Sequence, residues 1–139
     1  MNFYSECLCP LSNASSTTSL YTISANHVST GTLLPFQVKY SSTPVGEGTS
    51  LILCGRKFVI SYWLTIKLLK EGTASVTPLL GSAPARNTTS ASTGCCPAQH
   101  NLSGCLTADS CGGILKFSLR YDGQEAATIN GQMELHTID

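Results

Sequence analysis

Residues 57–69 read KFVISYWLTIKLL, and every second residue of this stretch is apolar. The apolar set is Phe58, Ile60, Tyr62, Leu64, Ile66 and Leu68. Strict alternation with a period of two indicates a β-strand with one buried face, and aromatic and β-branched side chains fit such a face well. This stretch therefore predicts a long central strand of a β-sheet.

Further strands are predicted on both sides of it. The same alternation returns at residues 113–121 and 126–138, and shorter apolar runs predict strands at 20–23, 34–40, 49–54 and 74–80. Asp122-Gly123, between the last two strands, is typical of a β-hairpin turn. No segment combines a capping residue, a period near 3.6 and good helix formers over three turns. We therefore predict an all-β protein.

The composition limits both the size of the fold and its partners. The chain has 139 residues, which is a usual length for one domain. Only 12% of them are charged, and eight basic residues balance eight acidic ones, so no basic patch is available for nucleic acid. No stretch approaches the roughly 20 apolar residues that span a bilayer. We expect neither a nucleic-acid partner nor a membrane span, and a net charge near zero permits copies of the chain to associate.

The first residues differ in character from the rest of the chain. They are rich in Ser, Thr, Asn and Cys and show little periodicity, so we predict an N-terminal arm at residues 1–19 and a single β-sandwich domain at residues 20–139. The opening MNFYSECLCP lacks the basic start and apolar core of a secretory signal peptide. We therefore expect either retention in the producing cell or export by another route.

Residues 82–113 interrupt the strand pattern. This segment contains two prolines, four glycines and four cysteines, and it shows no strong alternation. Long segments of this kind are usually loops with a function or with mobility. The sequence predicts a long loop here, with one short strand near residues 86–93.

Seven cysteines are the strongest signal of chemistry in the chain. No CxxC pair exists, and a zinc ribbon would need two of them. Disulfides are the favoured interpretation, because a bridge would restrain a loop that has no core of its own. Unpaired or crosslinking thiols and a metal site are the alternatives. The predicted disulfide partners are Cys95, Cys96, Cys105 and Cys111, and we predict no metal and no cofactor.

A catalytic thiol is the main enzymatic alternative. Cys96, His100 and Asp109 lie within the predicted loop, and a thiol enzyme would need Cys96 or Cys105 hydrogen-bonded to His100. Neither a strand-to-helix elbow nor a family signature accompanies these residues. We therefore predict that the protein is not an enzyme.

Three segments are more informative in their order along the chain than any one of them is alone. They are Leu33-Leu34-Pro35-Phe36, then GRKFVISY at residues 55–62, then ATINGQMEL at residues 127–135. Together they resemble the tumour-necrosis-factor-like globular heads, and especially the C-terminal domains of bacterial collagen-like exosporium glycoproteins. The chain departs from those heads in having no Gly-X-Y stalk and many cysteines. The resemblance implies a two-sheet jelly-roll sandwich and a homotrimer, in which one sheet of each copy lines the three-fold axis.

The resemblance also implies a function. It points to a non-enzymatic structural or binding module of a bacterial surface or spore layer, located at the spore or cell surface. The alternative is the head of a fibre-like protein that binds a carbohydrate or a protein receptor, with aromatic and polar side chains in a pocket.

Alternation also places Val59 and Trp63 on the face of residues 57–69 opposite the apolar set. An exposed tryptophan is suited to anchor an interface. We predict that both residues contact other copies in the trimer. Cover of Trp63 by the chain's own N-terminal arm is the alternative.

Overall fold

The computed structural model describes residues 18–41, 47–54, 57–70, 72–81, 83–84, 89–92, 99–110 and 113–138. Within these ranges the chain forms ten β-strands and no helix, so the all-β prediction is confirmed. None of the described residues belongs to a helix that could cross a membrane. The strands are β1 (Thr18–Val28), β2 (Gln37–Ser41), β3 (Leu51–Cys54), β4 (Lys57–Leu68), β5 (Thr73–Leu80), β6 (Ala83–Pro84), β7 (Thr89–Ser92), β8 (Gln99–Asp109), β9 (Ile114–Gly123) and β10 (Ala126–Ile138).

These strands form two antiparallel sheets. The first sheet has five strands in the order β2-β1-β10-β4-β8. The second has the order β3-β9-β5-β6, and β7 also pairs with β5. The predicted central strand, β4, is paired along its whole length with β10 on one side and over most of its length with β8 on the other. We call the side of each sheet that turns towards the core its inner face, and the opposite side its outer face.

One hydrophobic core lies between the sheets. The alternating apolar set of β4 is buried as predicted, and it shares a single cluster with inward side chains of β9 from the second sheet. The rings of Phe36 and Phe117 stack with centroids 6.1 Å apart, and Tyr21 meets Phe36 edge-on at 6.4 Å. Burying one large aliphatic or aromatic side chain stabilises the fold by about 1.5–3 kcal/mol. This core holds the five-stranded sheet in place and fixes which side chains face outwards.

The connection between β9 and β10 differs from its prediction. The predicted hairpin between these strands is wrong. β9 pairs with β3 and β5 in the second sheet, whereas β10 pairs with β1 and β4 in the first. The chain instead crosses from one sheet to the other. Gly123 has a φ of 137°, a conformation that favours glycine, and the Gln124 main-chain N–H donates to the Thr73 carbonyl at 3.0 Å. Asp122-Gly123 reverses the chain, but the dipeptide does not determine the partner of the next strand.

The predicted long loop also contains a regular strand. Residues 99–109 form β8, which is eleven residues long and lies at an edge of the five-stranded sheet, so the loop prediction is wrong for this part. The short β7 agrees with the predicted strand near residues 86–93. Polar and small residues at inward positions hide the apolar alternation of β8 in the sequence. These inward positions are His100, Leu102, Gly104, Leu106 and Ala108.

β1 begins at Thr18 and pairs with both β2 and β10. Of the predicted arm at residues 1–19, residues 1–17 lie outside the described residues.

Candidate functional site

The outer face of the five-stranded sheet carries both predicted interface residues, Val59 and Trp63. Because side chains alternate along a strand, every second residue of each strand contributes to this face. The strand register then aligns the outward residues in rows across the sheet. The row through the tryptophan contains Thr22, Gln132, Trp63 and Ser103.

The two neighbouring rows complete the centre of this face. One contains Ser24, Asn130, Thr65 and Asn101, and the other contains Leu20, Glu134, Ser61 and Cys105. Among these described central positions, Glu134 is the only acidic or basic residue. Lysines occur towards the two ends of β4, at Lys57 and Lys67. A partner could therefore cover the centre while removing few charges from water, and desolvation of charge is the main penalty of a polar interface.

Side-chain hydrogen bonds connect neighbouring strands on this face. The Ser24 hydroxyl donates to Asn130 Oδ1 at 3.0 Å, and the Thr65 hydroxyl donates to Asn101 Oδ1 at 3.0 Å. Both bonds join residues that lie directly opposite each other in the register. These groups have part of their hydrogen-bonding capacity satisfied within the chain, which lowers the free-energy penalty of covering them.

The acid of the central rows is also paired within the chain. Glu134 Oε1 and His136 Nε2 are in close contact, and His136 Nδ1 lies 2.8 Å from Thr18 Oγ1. The imidazole is thus held between a hydroxyl and the carboxylate. Glu134 therefore need not find its partner in another molecule.

Trp63 is 48% exposed and is the only tryptophan of the chain. The indole lies between two shallow depressions, with volumes of about 460 Å³ and about 390 Å³. The polar side chains that line the larger one are those of Thr65, Asn101, Ser103, Asn130 and Gln132, and the smaller one is lined by Ser61, Ser103, Gly104 and Cys105. A bulky ridge with space on either side can receive complementary groups on both of its flanks.

The structure brings Val59 and Trp63 to one face, with Val59 half-buried. Their contact with a second copy stays a prediction. The groups that surround Trp63 from β8 were not predicted, because Asn101 and Ser103 fell in the predicted loop. The alternation of Leu102, Leu106 and Ala108 could have identified their outward direction. Tyr40, which is 60% exposed on β2 at the opposite edge of this sheet, was not predicted either.

One of the four predicted disulfide cysteines is described. Cys105 is exposed on the outer face of β8, and its sulfur lies 3.5 Å from the Ser61 hydroxyl oxygen. Cys95, Cys96 and Cys111 lie outside the described residues, so the disulfides stay a prediction. The described part of the chain contains no group of three or more His, Cys, Asp or Glu side chains that could hold a metal ion.

The residues considered for a catalytic thiol are not brought together. His100 and Asp109 lie near opposite ends of β8 and on opposite faces of it. Cys105 shares the outer face with Asp109, so His100 cannot orient its thiol. His100 is 3% exposed, and its Nε2 has no hydrogen-bond partner among the described residues. Cys96 lies outside the described residues, and the described ones form no thiol–imidazole pair.

A perturbed tyrosine lies away from this surface, in the second sheet. Burial, and to a smaller extent the charge of Asp122, raises the pKa of Tyr121 to about 12. Its hydroxyl donates to the Gln124 carbonyl at the crossover into β10. Because Tyr121 is fully buried on the inner face and bonded to the main chain, we assign it a structural role.

No family model matches the chain, and no curated protein matches it in sequence. Solved structures do match the fold. PRD1 vertex protein P5 is 15% identical with a TM-score of 0.55, over 88% of this chain and 99% of that chain. Murine APRIL is 8% identical with a TM-score of 0.56, over 87% of this chain and 99% of that chain. At these identities the similarity concerns the fold alone, which is the tumour-necrosis-factor-like jelly roll that the sequence resemblance implied.

Proposed function

We propose that this protein is a non-enzymatic structural or binding module that forms a homotrimer through the outer face of its five-stranded sheet. The observation that carries the proposal is the half-exposed Trp63 at the centre of a face whose central rows contain one acid and no base. Tryptophan is among the residues that contribute most to interfaces when they become buried. The formal net charge is zero, so copies experience little long-range repulsion.

The fold supports the trimeric arrangement. The resemblance to tumour-necrosis-factor-like heads implies a three-fold axis lined by one sheet of each copy, and the chain has the corresponding jelly roll. The five-stranded sheet is the one with the nearly uncharged centre. It is therefore the sheet that we place towards the axis.

The finer parts of the proposal rest on the sequence. We assign residues 20–139 to one sandwich domain and residues 1–19 to an arm. We assign the disulfides to the segment that contains Cys95, Cys96, Cys105 and Cys111. The resemblance to exosporium heads supports a role in a bacterial surface or spore layer.

Sedimentation equilibrium tests the assembly. We expect the chain to have a mass of about 44 kDa at micromolar concentration, which is three times 14.7 kDa, with reductant present to remove covalent links. Trp63→Arg should give single chains, because an unpaired charge would be buried. Ile52→Arg is the control, since Ile52 is a large, exposed apolar side chain on β3 of the second sheet, and it should leave the trimer intact. A wild-type chain that stays at 14.7 kDa, or a trimeric Trp63→Arg variant, would refute the proposal.

One specific observation favours a second candidate function, the binding of a carbohydrate. Three carboxamide side chains, those of Asn101, Asn130 and Gln132, surround Trp63 in the larger depression. An indole can stack on the apolar face of a sugar ring while amides bond to its hydroxyl groups. Screening on a glycan array, followed by titration with tryptophan fluorescence, separates the two functions. If a glycan quenches the Trp63 fluorescence of the wild type but not that of Gln132→Ala, and the mass of the particle is the same for both, the result would favour the carbohydrate site.

A further inference from the structure

A titratable pair lies on the outer face of the five-stranded sheet, at Glu134 and His136. The two residues are two positions apart on β10, so both side chains point outwards, and Glu134 Oε1 is in close contact with His136 Nε2. Their side chains are 31% and 45% exposed, so both groups can exchange protons with water. Glu134 is the only acidic or basic residue among the described central rows. The charge at the centre of this face therefore depends on whether His136 is protonated.

Hydrogen bonds can hold the His136 imidazole in both of its protonation states. Its Nδ1 lies 2.8 Å from Thr18 Oγ1 on β1. A hydroxyl group can donate to a bare ring nitrogen and can accept from a protonated one. The neutral ring can therefore accept from Thr18 while it donates to Glu134, and the charged ring can donate to both. The pair can take up a proton without any movement of its side chains.

The residues opposite this pair on the adjacent strands carry no charge. They belong to β1 and β4, and they are Thr18, Leu20, Val59 and Ser61. One strand further out, the titratable side chains are those of Tyr40 on β2 and Cys105 on β8. Phenols and thiols are largely protonated already at pH 7.5, so acidification from that pH changes their charge little.

The remaining charges at this end of the face balance each other. Lys57 and Asp109 lie opposite each other in the register of β4 and β8. Together with Glu134, they leave one net negative charge on this end of the described outer face while His136 is neutral. A proton on His136 reduces that net charge to zero.

We infer that mild acidification strengthens the association of copies through the outer face, because His136 takes up a proton and neutralises Glu134. This inference rests on the proposed function and adds its regulation. Association brings the Glu134 carboxylates of several copies towards one another, and like charges repel more strongly where water is removed. Histidine is the side chain that ordinarily changes its charge between pH 5 and 8. The assembled state therefore holds the imidazole proton more tightly than single chains do, and by linkage a lower pH favours assembly.

The midpoint concentration of assembly, measured by sedimentation with reductant at about pH 7.5 and about pH 5.5, tests the inference. Carboxyl groups usually titrate near pH 4, so they keep their charge over this interval. We expect the midpoint of the wild type to be at least about fivefold lower at the acidic pH. His136→Gln keeps a polar side chain that cannot take up a proton, and its two midpoints should agree within about twofold.

Two further variants separate this pair from a general effect of pH. His27→Asn is the matched control, because His27 is exposed near the other end of β1 and has a φ of 53°, which asparagine tolerates. It should keep the full response of the wild type. Glu134→Gln should reverse the response, because the charged imidazole would then lack its carboxylate. Its midpoint should rise by at least about threefold on acidification.

The outcomes distinguish this inference from the proposed function. Equal wild-type midpoints at the two pH values, a full response in His136→Gln or a lost response in His27→Asn would overturn the inference and leave the trimer intact. A wild-type chain that stays single at both pH values would overturn the proposed function as well, and its mass alone would reveal this.

Discussion

The two faces of β4 differ in composition and in consequence. On the inner face, every residue from Phe58 to Leu68 at the alternate positions is apolar and buried. On the outer face, the Ser61 hydroxyl separates Val59 from Trp63, Thr65 follows, and lysines occur only towards the ends. A soluble monomer could place charges along the whole outer face, but this chain uses hydroxyls and amides there. One strand thus specifies the fold with one set of alternate residues and, as we propose, an assembly with the other.

Shortening an inner side chain should have the largest effect on stability. Ile60 is fully buried, so Ile60→Ala should lower the free energy of unfolding by about 3–4 kcal/mol through lost burial and a residual cavity. Val59→Ala, one residue away on the outer face, should lower it by less than about 1 kcal/mol. Urea unfolding below the assembly midpoint measures both values. Equal losses for the two variants would remove the distinction between the faces.

Gly131 of β10 faces the main chain of β4 with no room for a side chain. A Cβ at this position would collide with the Trp63 carbonyl oxygen and with Leu64, so Gly131→Ala should force the two strands apart. We expect the free energy of unfolding to fall by about 2–3 kcal/mol, as is typical of overpacking. Gly113→Ala is the matched control, because its Cβ would meet nothing within 4 Å. A small and similar effect of both variants in urea unfolding would show that the close approach is not constrained.

The sequence predicts the strands in which the alternation is unbroken. β4 and β10 are found almost at their predicted bounds. The inward positions of β4 are all apolar, and in β10 the buried Ile129, Met133 and Leu135 keep the alternation visible. β8 was not predicted, because His100 and Gly104 occupy inward positions and weaken the same signal. The crossover after β9 was also not predictable, since a turn dipeptide carries no information about the partner of the strand that follows.

The candidate site could be predicted only in part. Alternation within β4 is a local property, and it placed Trp63 on the outer face. The amides around it come from strands that are distant in sequence, and Asn101 bonds to Thr65 across 36 residues. Such neighbours depend on the register of the whole sheet, which no short segment determines. The hydrogen bond from the Val38 main-chain N–H to the Glu47 carboxylate depends in the same way on the folded chain.

Tyr121, on the inner face of the second sheet, should make the stability of the fold sensitive to alkaline pH. The pKa of Tyr121 is raised from its ordinary value of 10 to about 12, so the folded chain holds this proton more tightly than the unfolded chain. The stabilisation of the fold by the protonated Tyr121 hydroxyl is complete below pH 10 and is lost as the pH rises through 12. Wild-type stability should therefore fall by about 2 kcal/mol more than that of Tyr121→Phe over this interval. Parallel curves of urea midpoint against pH for the two proteins would contradict this assignment.

The smallest effect is expected at the polar inner position of β8. His100 is buried with an Nε2 that has no hydrogen-bond partner among the described residues, so His100→Leu should raise stability by about 1 kcal/mol. Asn101→Leu, on the outer face of the same strand, should give no such gain, because it removes the bond from Thr65. Thermal unfolding of the two variants measures the difference. A clear loss of stability in His100→Leu would mean that the imidazole has a necessary partner.

Tryptophan fluorescence across a dilution series, recorded together with the mass of the particle, tests most directly whether the outer face joins the copies. Trp63 is the only tryptophan, so its emission reports on the centre of that face alone. We expect emission to move to shorter wavelength, and acrylamide quenching to weaken, at the concentrations where the mass rises to three chains. Emission and quenching that stay constant while the mass rises would contradict an interface at this face, because the copies would then be joined elsewhere.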